Sequence, residues 1–306
     1  MKNLSVTTEF HLLGFQGNSN HRYSLFCLLL MVYCGTICGN LLIITLVSTS
    51  NTLHTPMYFF ISQLSISDIL LTTNILPNLL LLLLNNGGTI TFISCISQLY
   101  FFCAFEAVQC FLLTVMSYDR YAAICNPLHY ASIMTRVCCA KLTTFCWLVG
   151  FSITLTDTLT TSMLTFCGPN IIDHFFCDLI PLLEISCSDT FIVKLIVYLI
   201  SIPVVIIPCV IIVTSYINII ATILKIPSRI SRHKTFSTCG SHLTVVSIFY
   251  WTLFCVYVFP MKGKTLNIGK FMSLLYTVFT PLVNPIIYSL RNKDIRKALE
   301  LKLKNT

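Results

Sequence analysis

Charge is scarce in this 306-residue chain: Asp, Glu, Lys and Arg make up 10% of it, against about 25% in a soluble domain. Nearly all of that charge lies outside long apolar runs, and 56% of the residues are hydrophobic. The two facts together exclude an ordinary soluble domain and point to a chain that crosses a membrane several times. The formal +8 therefore belongs to loops, and nucleic acid is not an expected partner. The first twenty residues are polar, with no short apolar segment before a small-residue cleavage site. A cleavable signal peptide is thus not read here, and the first span is expected to act as its own insertion signal. No sequence period of about 20–50 residues recurs, and no inverted repeat of the transporter kind is found. HExxH, GxSxG, a P-loop and a paired catalytic Asp are all missing, so no enzyme is expected. Phe271 to Leu290 contains no Lys, which excludes a retinal pump or photoreceptor. A channel or transporter remains the rival class, but the acids Asp68, Glu106 and Asp157 form no ring or repeated pair.

What is abundant is hydrocarbon. A spanning helix needs about 20 apolar residues, and seven stretches meet that need: Tyr23–Ser48, Met57–Leu84, Cys95–Tyr118, Leu142–Met163, Leu195–Leu224, Phe236–Pro260 and Phe271–Leu290. The expected fold is an all-α membrane protein, a seven-helix bundle over residues 23–290, with residues 1–22 and 291–306 as tails on opposite sides. With the N-terminus outside, thirteen Lys and Arg fall on the cytoplasmic side, at 120, 136, 141, 225, 229, 232, 234, 291, 293, 296, 297, 302 and 304. Six fall outside, at 2, 22, 194, 262, 264 and 270, so the positive-inside rule predicts an extracellular N-terminus. Asn3, in the one N-x-S/T triplet of the chain, would then lie on the glycosylating side. After Leu290, Ile295, Leu299 and Leu303 recur every four residues among cations, which reads as a short helix on the inner leaflet or, on the plainer view, a solvated tail.

Polar residues inside such spans carry the functional signal. Asn40 lies in the first, Asp68 in the second, and Asn284 near the end of the seventh beside Pro285. A carboxylate at membrane depth is costly and usually faces a polar cavity, so these residues are expected to cluster around a sodium ion or water. Pro285 removes a backbone donor and loosens the seventh helix there. At the end of the third span, MSYDRYAAICNP (Met116–Pro127) places Asp119, Arg120 and Tyr121 where hydrocarbon gives way to water. Arg120 is either an interfacial anchor or a switch held by Asp119 in one state and released in another. Most of the sixteen cysteines lie in apolar segments and act as small hydrophobes. Cys95, Cys167, Cys177 and Cys187 share one face in an oxidising compartment and allow three pairings.

MSYDRYAAICNP, LHTPMYFF (Leu53–Phe60), HFFCD, KTFSTCGSHL (Lys234–Leu243) and PLVNPIIYSLRN (Pro281–Asn292) together resemble the odorant receptors, in their tetrapod-expanded class II, within the rhodopsin-like G-protein-coupled receptors. The matches run from Gly39 to Asn292, about five-sixths of the chain. The resemblance implies a small volatile or hydrophobic ligand, a stimulatory olfactory-type heterotrimeric G protein, cyclic AMP production, and a place in the plasma membrane of sensory cilia, with accessory trafficking proteins among the partners. It implies the disulfides Cys95–Cys177 and Cys167–Cys187. It implies a ligand site lined by Phe102, Cys103, Glu106, Ser201, Tyr250, Leu253, Tyr257 and Leu274, with ordinary packing the plainer reading of each. Asp119, Arg120, Tyr121, Tyr216, His242 and Tyr288 would form the G-protein switch, His242 bonding Tyr216 or else being a satisfied core residue.

Four positions depart from the family. Gln109 stands where a Glu is usual, eleven residues before Arg120, which weakens any sodium site around Asp68. Glu106, one turn nearer the outside, has three readings: facing the ligand cavity, replacing the missing acid, or protonated and structural. An ionised Glu106 in the cavity predicts a preference for amines, a protonated one for alcohols, aldehydes or ketones. Thr235 replaces a usual Ala, and Trp251 a usual Gly, so Trp251 either faces lipid or fills space beside the cavity.

Overall fold

The structure, a computed structural model, describes residues 8–167, 169–258, 266–291 and 293–304. Seven helices form the bundle. They are α1 (Ser19–Thr49), α2 (Pro56–Asn85), α3 (Phe92–Cys125), α4 (Arg136–Ser162), α5 (Phe191–Leu224), α6 (Arg229–Val258) and α7, which runs as Leu266–Leu274, a π turn Leu275–Phe279, and Thr280–Arg291. Six carry a full membrane-length apolar window, and in α6 the stretch Cys239–Cys255 is apolar among the described residues. The first turns of α6 have the polar, basic sequence RISRHKTFST. Helix ends overrun the apolar stretches generally, since hydropathy marks only the part in lipid. At 1.5 Å per residue, α3 is about 50 Å long against a hydrocarbon core of about 30 Å.

Local chemistry sets several boundaries. Pro56 opens α2, where a missing N–H costs nothing. Asn86 at φ 58° and Gly87 at φ 107° close it in left-handed conformations. Thr91 and Thr135 cap α3 and α4, accepting from the backbone N–H of Ser94 (3.3 Å) and Cys138 (3.2 Å). Helix α3 runs through the centre and packs on α2, α4 and α5. Gly150 lets α4 approach it: a Cβ there would stand 2.7 Å from Cγ2 of Val108. Helix α5 is the opposite case, with Ile202, Ile206, Val210 and Ile217 turned outward, as a lipid-facing helix requires.

The two ends of the bundle differ. At one end three short strands, β1 (Glu9–Leu12), β2 (Gly88–Thr91) and β3 (Ile171–Ile172), make a sheet in the order β2-β1-β3. The β1–β2 pair is antiparallel, with Phe10 opposite Ile90, and the β1–β3 pair is parallel, with Leu12 opposite Ile172. The sequence reads residues 1–22 as a tail, whereas Glu9–Leu12 is a strand whose Phe10 and Leu12 are buried and Ser19 already begins α1. Alternation of Glu9 and His11 outward with Phe10 and Leu12 inward gives the physical reason. Disulfides Cys95–Cys177 and Cys167–Cys187 fasten the same end. At the other end the C-terminal helix α8 (Lys293–Lys304) lies against the bundle. Ile295 and Ala298 are buried there, Tyr58 donates to Asp294 (2.9 Å) and Lys302 to Thr49 (3.1 Å).

Candidate functional site

Three groups of polar residues lie along the bundle axis. The first is at the α8 end. Asp119 is wholly buried and accepts from Nε of Arg120 at 2.9 Å on Oδ2, with Nη2 of the same guanidinium on that oxygen too. Its Oδ1 accepts from the hydroxyl of Tyr130 at 2.8 Å. Tyr130 belongs to a one-turn helix, Tyr130–Ile133, between α3 and α4; burial, then the Asp119 carboxylate, push its phenol well above the usual range. Arg120 is thus folded back on its neighbour rather than extended to water. Tyr216 is not on Arg120: its hydroxyl is 2.6 Å from Nδ1 of His242, with the two rings stacked at 5.8 Å. Tyr288 is buried nearby, its hydroxyl without a partner among the described residues, and Tyr121 is half-buried with its ring stacked on Tyr118 at 6.3 Å.

The second group is mid-bundle and holds Asp68, which has no exposed surface. Its Oδ1 accepts from Gln109 at 3.1 Å and its two oxygens from Asn284 at 3.3 and 3.0 Å. Gln109 also reaches Oγ of Ser67 at 3.4 Å. Asn40 is not on Asp68. Its amide donates to the carbonyls of Thr36 (3.0 Å) and Pro281 (3.1 Å). The second contact has a plain cause: Pro285 has no N–H, so the carbonyl four residues earlier loses its helical donor, and Asn40 supplies one from α1. Gly39 makes room, since a Cβ there would lie 3.2 Å from Cγ of Pro285.

The third group is in the half nearer the disulfides. Phe102 is buried edge-on to Phe176 (5.0 Å) and Tyr276 (5.7 Å), beneath the loop that Cys177 anchors. Cys103, Glu106, Ser201, Tyr250, Leu253 and Leu274 are half-buried on α3, α5, α6 and α7. Oε2 of Glu106 and the hydroxyl of Tyr250 are shut from solvent and have no hydrogen-bond partner among the described residues, and so is Oδ1 of Asp157 on α4. No hydrogen bond among the described residues joins Glu106 to Asp68, Gln109 or Asn284. The side chain of Tyr257 and the whole of Asn3 lie outside the described residues. Trp251 is 66% exposed and stacked on Phe254 at 6.1 Å, on the outer surface of the bundle rather than in its interior.

A clamp that sequence reasoning did not find closes the disulfide end. Lys270, read as the edge of the seventh span, is 2% exposed; its Nζ donates to the carbonyl of Gly14 (2.9 Å) and pairs with Asp173 at 2.5 Å. The N–H of Gly14 in turn donates to the carbonyl of His174 at 3.0 Å. Burial first, then the Lys270 charge, lower the His174 imidazole to about 3, so it is neutral at physiological pH. Burial pushes Asp178 up to about 6 against its bond from the Leu179 N–H. Tyr130 is likewise not found by sequence reasoning: it lies eleven residues after Asp119 and three beyond the end of the Met116–Pro127 string.

The Asn40 contact makes a sharp prediction. Asn40→Ala strands the Pro281 carbonyl and costs about 1–3 kcal/mol of stability. Pro285→Ala restores a backbone N–H at 285, so the same Asn40 substitution costs less in that background. A double-mutant cycle of thermal stability in detergent reads the coupling; equal costs in both backgrounds contradict the account.

Comparison with known proteins accords with this geometry. The family described as olfactory receptor matches residues 26–305. Human olfactory receptor 11L1 is 47% identical over 97% of this chain and 92% of its own length. Rat olfactory receptor 1468 is 44% identical over 97% of this chain and 95% of its own, and human olfactory receptor 5G3 is 45% identical over 99% and 96%. The helices described above carry that sequence across the membrane several times. The chain belongs to the olfactory receptor family, multi-pass G-protein-coupled receptors for odorants rather than enzymes.

Proposed function

We propose that this receptor binds a small hydrophobic odorant in the outer half of the bundle, between α3, α5, α6 and α7, and activates a stimulatory olfactory-type G protein to raise cyclic AMP. The observation that carries the reading is the pair of buried, unmatched polar atoms on neighbouring helices, Oε2 of Glu106 and the hydroxyl of Tyr250. Buried polar groups in folded proteins are almost always paired, and a ligand polar group supplies the missing partner. Ser201 and Tyr257 are further anchors, while Phe102, Cys103, Leu253 and Leu274 give apolar wall. The disulfide end is extracellular on this reading, Asn3 is glycosylated, and the basic face of α8 lies on anionic headgroups of the inner leaflet. Cilia of sensory neurons are the expected site, with accessory proteins assisting transport.

Activation is a population shift. Agonist favours the active bundle by its differential affinity, and the equilibrium moves by no more than that difference. On this reading the held state has Arg120 on Asp119 and Tyr216 on His242, the contacts described above. In the active state α6 moves outward, and Arg120 exchanges Asp119 for Tyr216, Tyr288 or the C-terminal helix of the Gα subunit. Cells expressing the receptor with an olfactory G protein are expected to raise cyclic AMP to some member of a panel of amines, acids, alcohols and ketones. Arg120→Ala is expected to abolish that response at equal surface expression. A response that survives Arg120→Ala sinks the proposed switch; ligand-gated current without cyclic AMP would favour the channel class instead.

Any sodium site beside Asp68 is weak on this reading: Gln109 stands in place of a second carboxylate, and the two oxygens of Asp68 accept amide N–H bonds from Gln109 and Asn284. The amide of Gln109 thus takes over the neutral matching of Asp68. Thermal stability is expected to be the same in sodium chloride and choline chloride, and Gln109→Glu to introduce a sodium-dependent increase. Sodium stabilisation of the wild-type receptor that is absent with choline would refute this.

A further inference from the structure

Beside the Lys270 clamp the described residues form a half-open pocket of about 200 Å³, lined by Phe15, Gln16, Gly17, His21, Arg22, Leu25 and Phe271. No odorant residue named above lies in it. Its walls are of two kinds. Phe15 is stacked on Phe175 at 5.5 Å and meets Phe271 at 5.3 Å, and with Leu25 these rings make an apolar face. Against that face stands a cation. Arg22 donates one N–H to the carbonyl of Leu83 at 2.9 Å, at the last turn of α2, where a positive charge suits the negative helix end. Its Nε is buried and without a partner, and none of the seven lining residues is acidic. Neither of the ion pairs Arg120–Asp119 and Lys270–Asp173 involves Arg22, and no carboxylate among the described residues pairs with it. A guanidinium in a partly apolar pocket with its charge unmatched favours an oxyanion, which it can receive along its planar edge.

We propose that this pocket is a second binding site, for a small amphiphilic carboxylate whose anion pairs with Arg22 and whose hydrocarbon lies between Phe15, Leu25 and Phe271. The volume is below the roughly 300–1,000 Å³ of drug-sized pockets, which limits the occupant to a short chain. The site is held open by backbone rather than by mobile side chains: the segment after β1 is bound through Leu13 to Ile172 (3.0 Å), through Gly14 to His174, and by Lys270 to the Gly14 carbonyl. Gly17 offers a way to close it, because a Cβ at Gly17 meets nothing within 4 Å. A Phe at 17 can therefore fill the mouth without disturbing the fold.

The test uses the full-length receptor in phosphatidylcholine nanodiscs at neutral pH, titrated with sodium hexanoate or with hexan-1-ol and read by saturation-transfer NMR. Hexanoate is expected to bind saturably, and hexan-1-ol at least about tenfold more weakly. Arg22→Gln is expected to weaken hexanoate about tenfold or more and leave hexan-1-ol unchanged; Gly17→Phe, with an unchanged melting temperature, is expected to abolish both. Equal hexanoate affinity in wild type and Arg22→Gln overturns the proposal, as does undiminished binding to Gly17→Phe. Phosphatidylglycerol retained by the purified receptor in native mass spectrometry, and lost in Arg22→Gln, would give the site to a lipid phosphate and overturn it equally. The readout is binding, so it stands or falls apart from receptor signalling.

Discussion

Hydrocarbon offers no hydrogen bonds, and that single constraint accounts for where the polar residues of this receptor are and what they touch. Several inside the bundle are matched at specific places. The carbonyl that Pro285 orphans is taken by Asn40, the buried Asp68 by two amides, and Asp119 by Arg120 and Tyr130. These contacts join α1 to α7, α2 to α3 and α7, and α3 to the following loop. Packing then supplies the close approaches that let them form, with Gly39 against Pro285 and Gly150 against Val108.

Among the exceptions to that matching are the residues proposed above to carry the function. Glu106 and Tyr250 keep buried polar atoms without partners among the described residues, in the half of the bundle that the disulfide-bonded loop covers. Tyr288 and Tyr216 lie near Arg120 at the opposite end without bonding it, so the guanidinium has alternative partners within the same core cluster. A ligand that completes the first set and a partner protein that receives the second describe a receptor in which binding and response occupy opposite ends of one bundle. Family membership, independently of the geometry, gives odorant ligands and G-protein coupling in general.

Much of this was legible in the sequence because the membrane makes polarity conspicuous. Seven apolar stretches gave the spans, and Asp68, Asn284 and Arg120 stood out against hydrocarbon. Gln109 reads as a departure that weakens a cation site, and its amide lies on Asp68. The three-stranded sheet was not legible: its strands are two to four residues long and come from three separate segments, too short for alternation to rise above chance. Lys270 looked like an interfacial cation, since nothing in its own neighbourhood names Asp173 or the Gly14 carbonyl, 97 and 256 residues away. Trp251 left two readings open on size alone, and only the position of α6 turns it to the lipid side. Asn40 was assigned to the Asp68 cluster by polarity; the vacancy left by Pro285, four residues beyond Pro281, decides its partner instead.

The central claim is that agonist completes the hydrogen bonding of Glu106 in the outer half of the bundle. An agonist-induced infrared difference spectrum of the purified receptor, over the carboxyl and carboxylate stretching region, tests it directly. The account predicts a difference band that disappears in Glu106→Gln while agonist still binds. A spectrum in which every carboxyl change survives that substitution would contradict it.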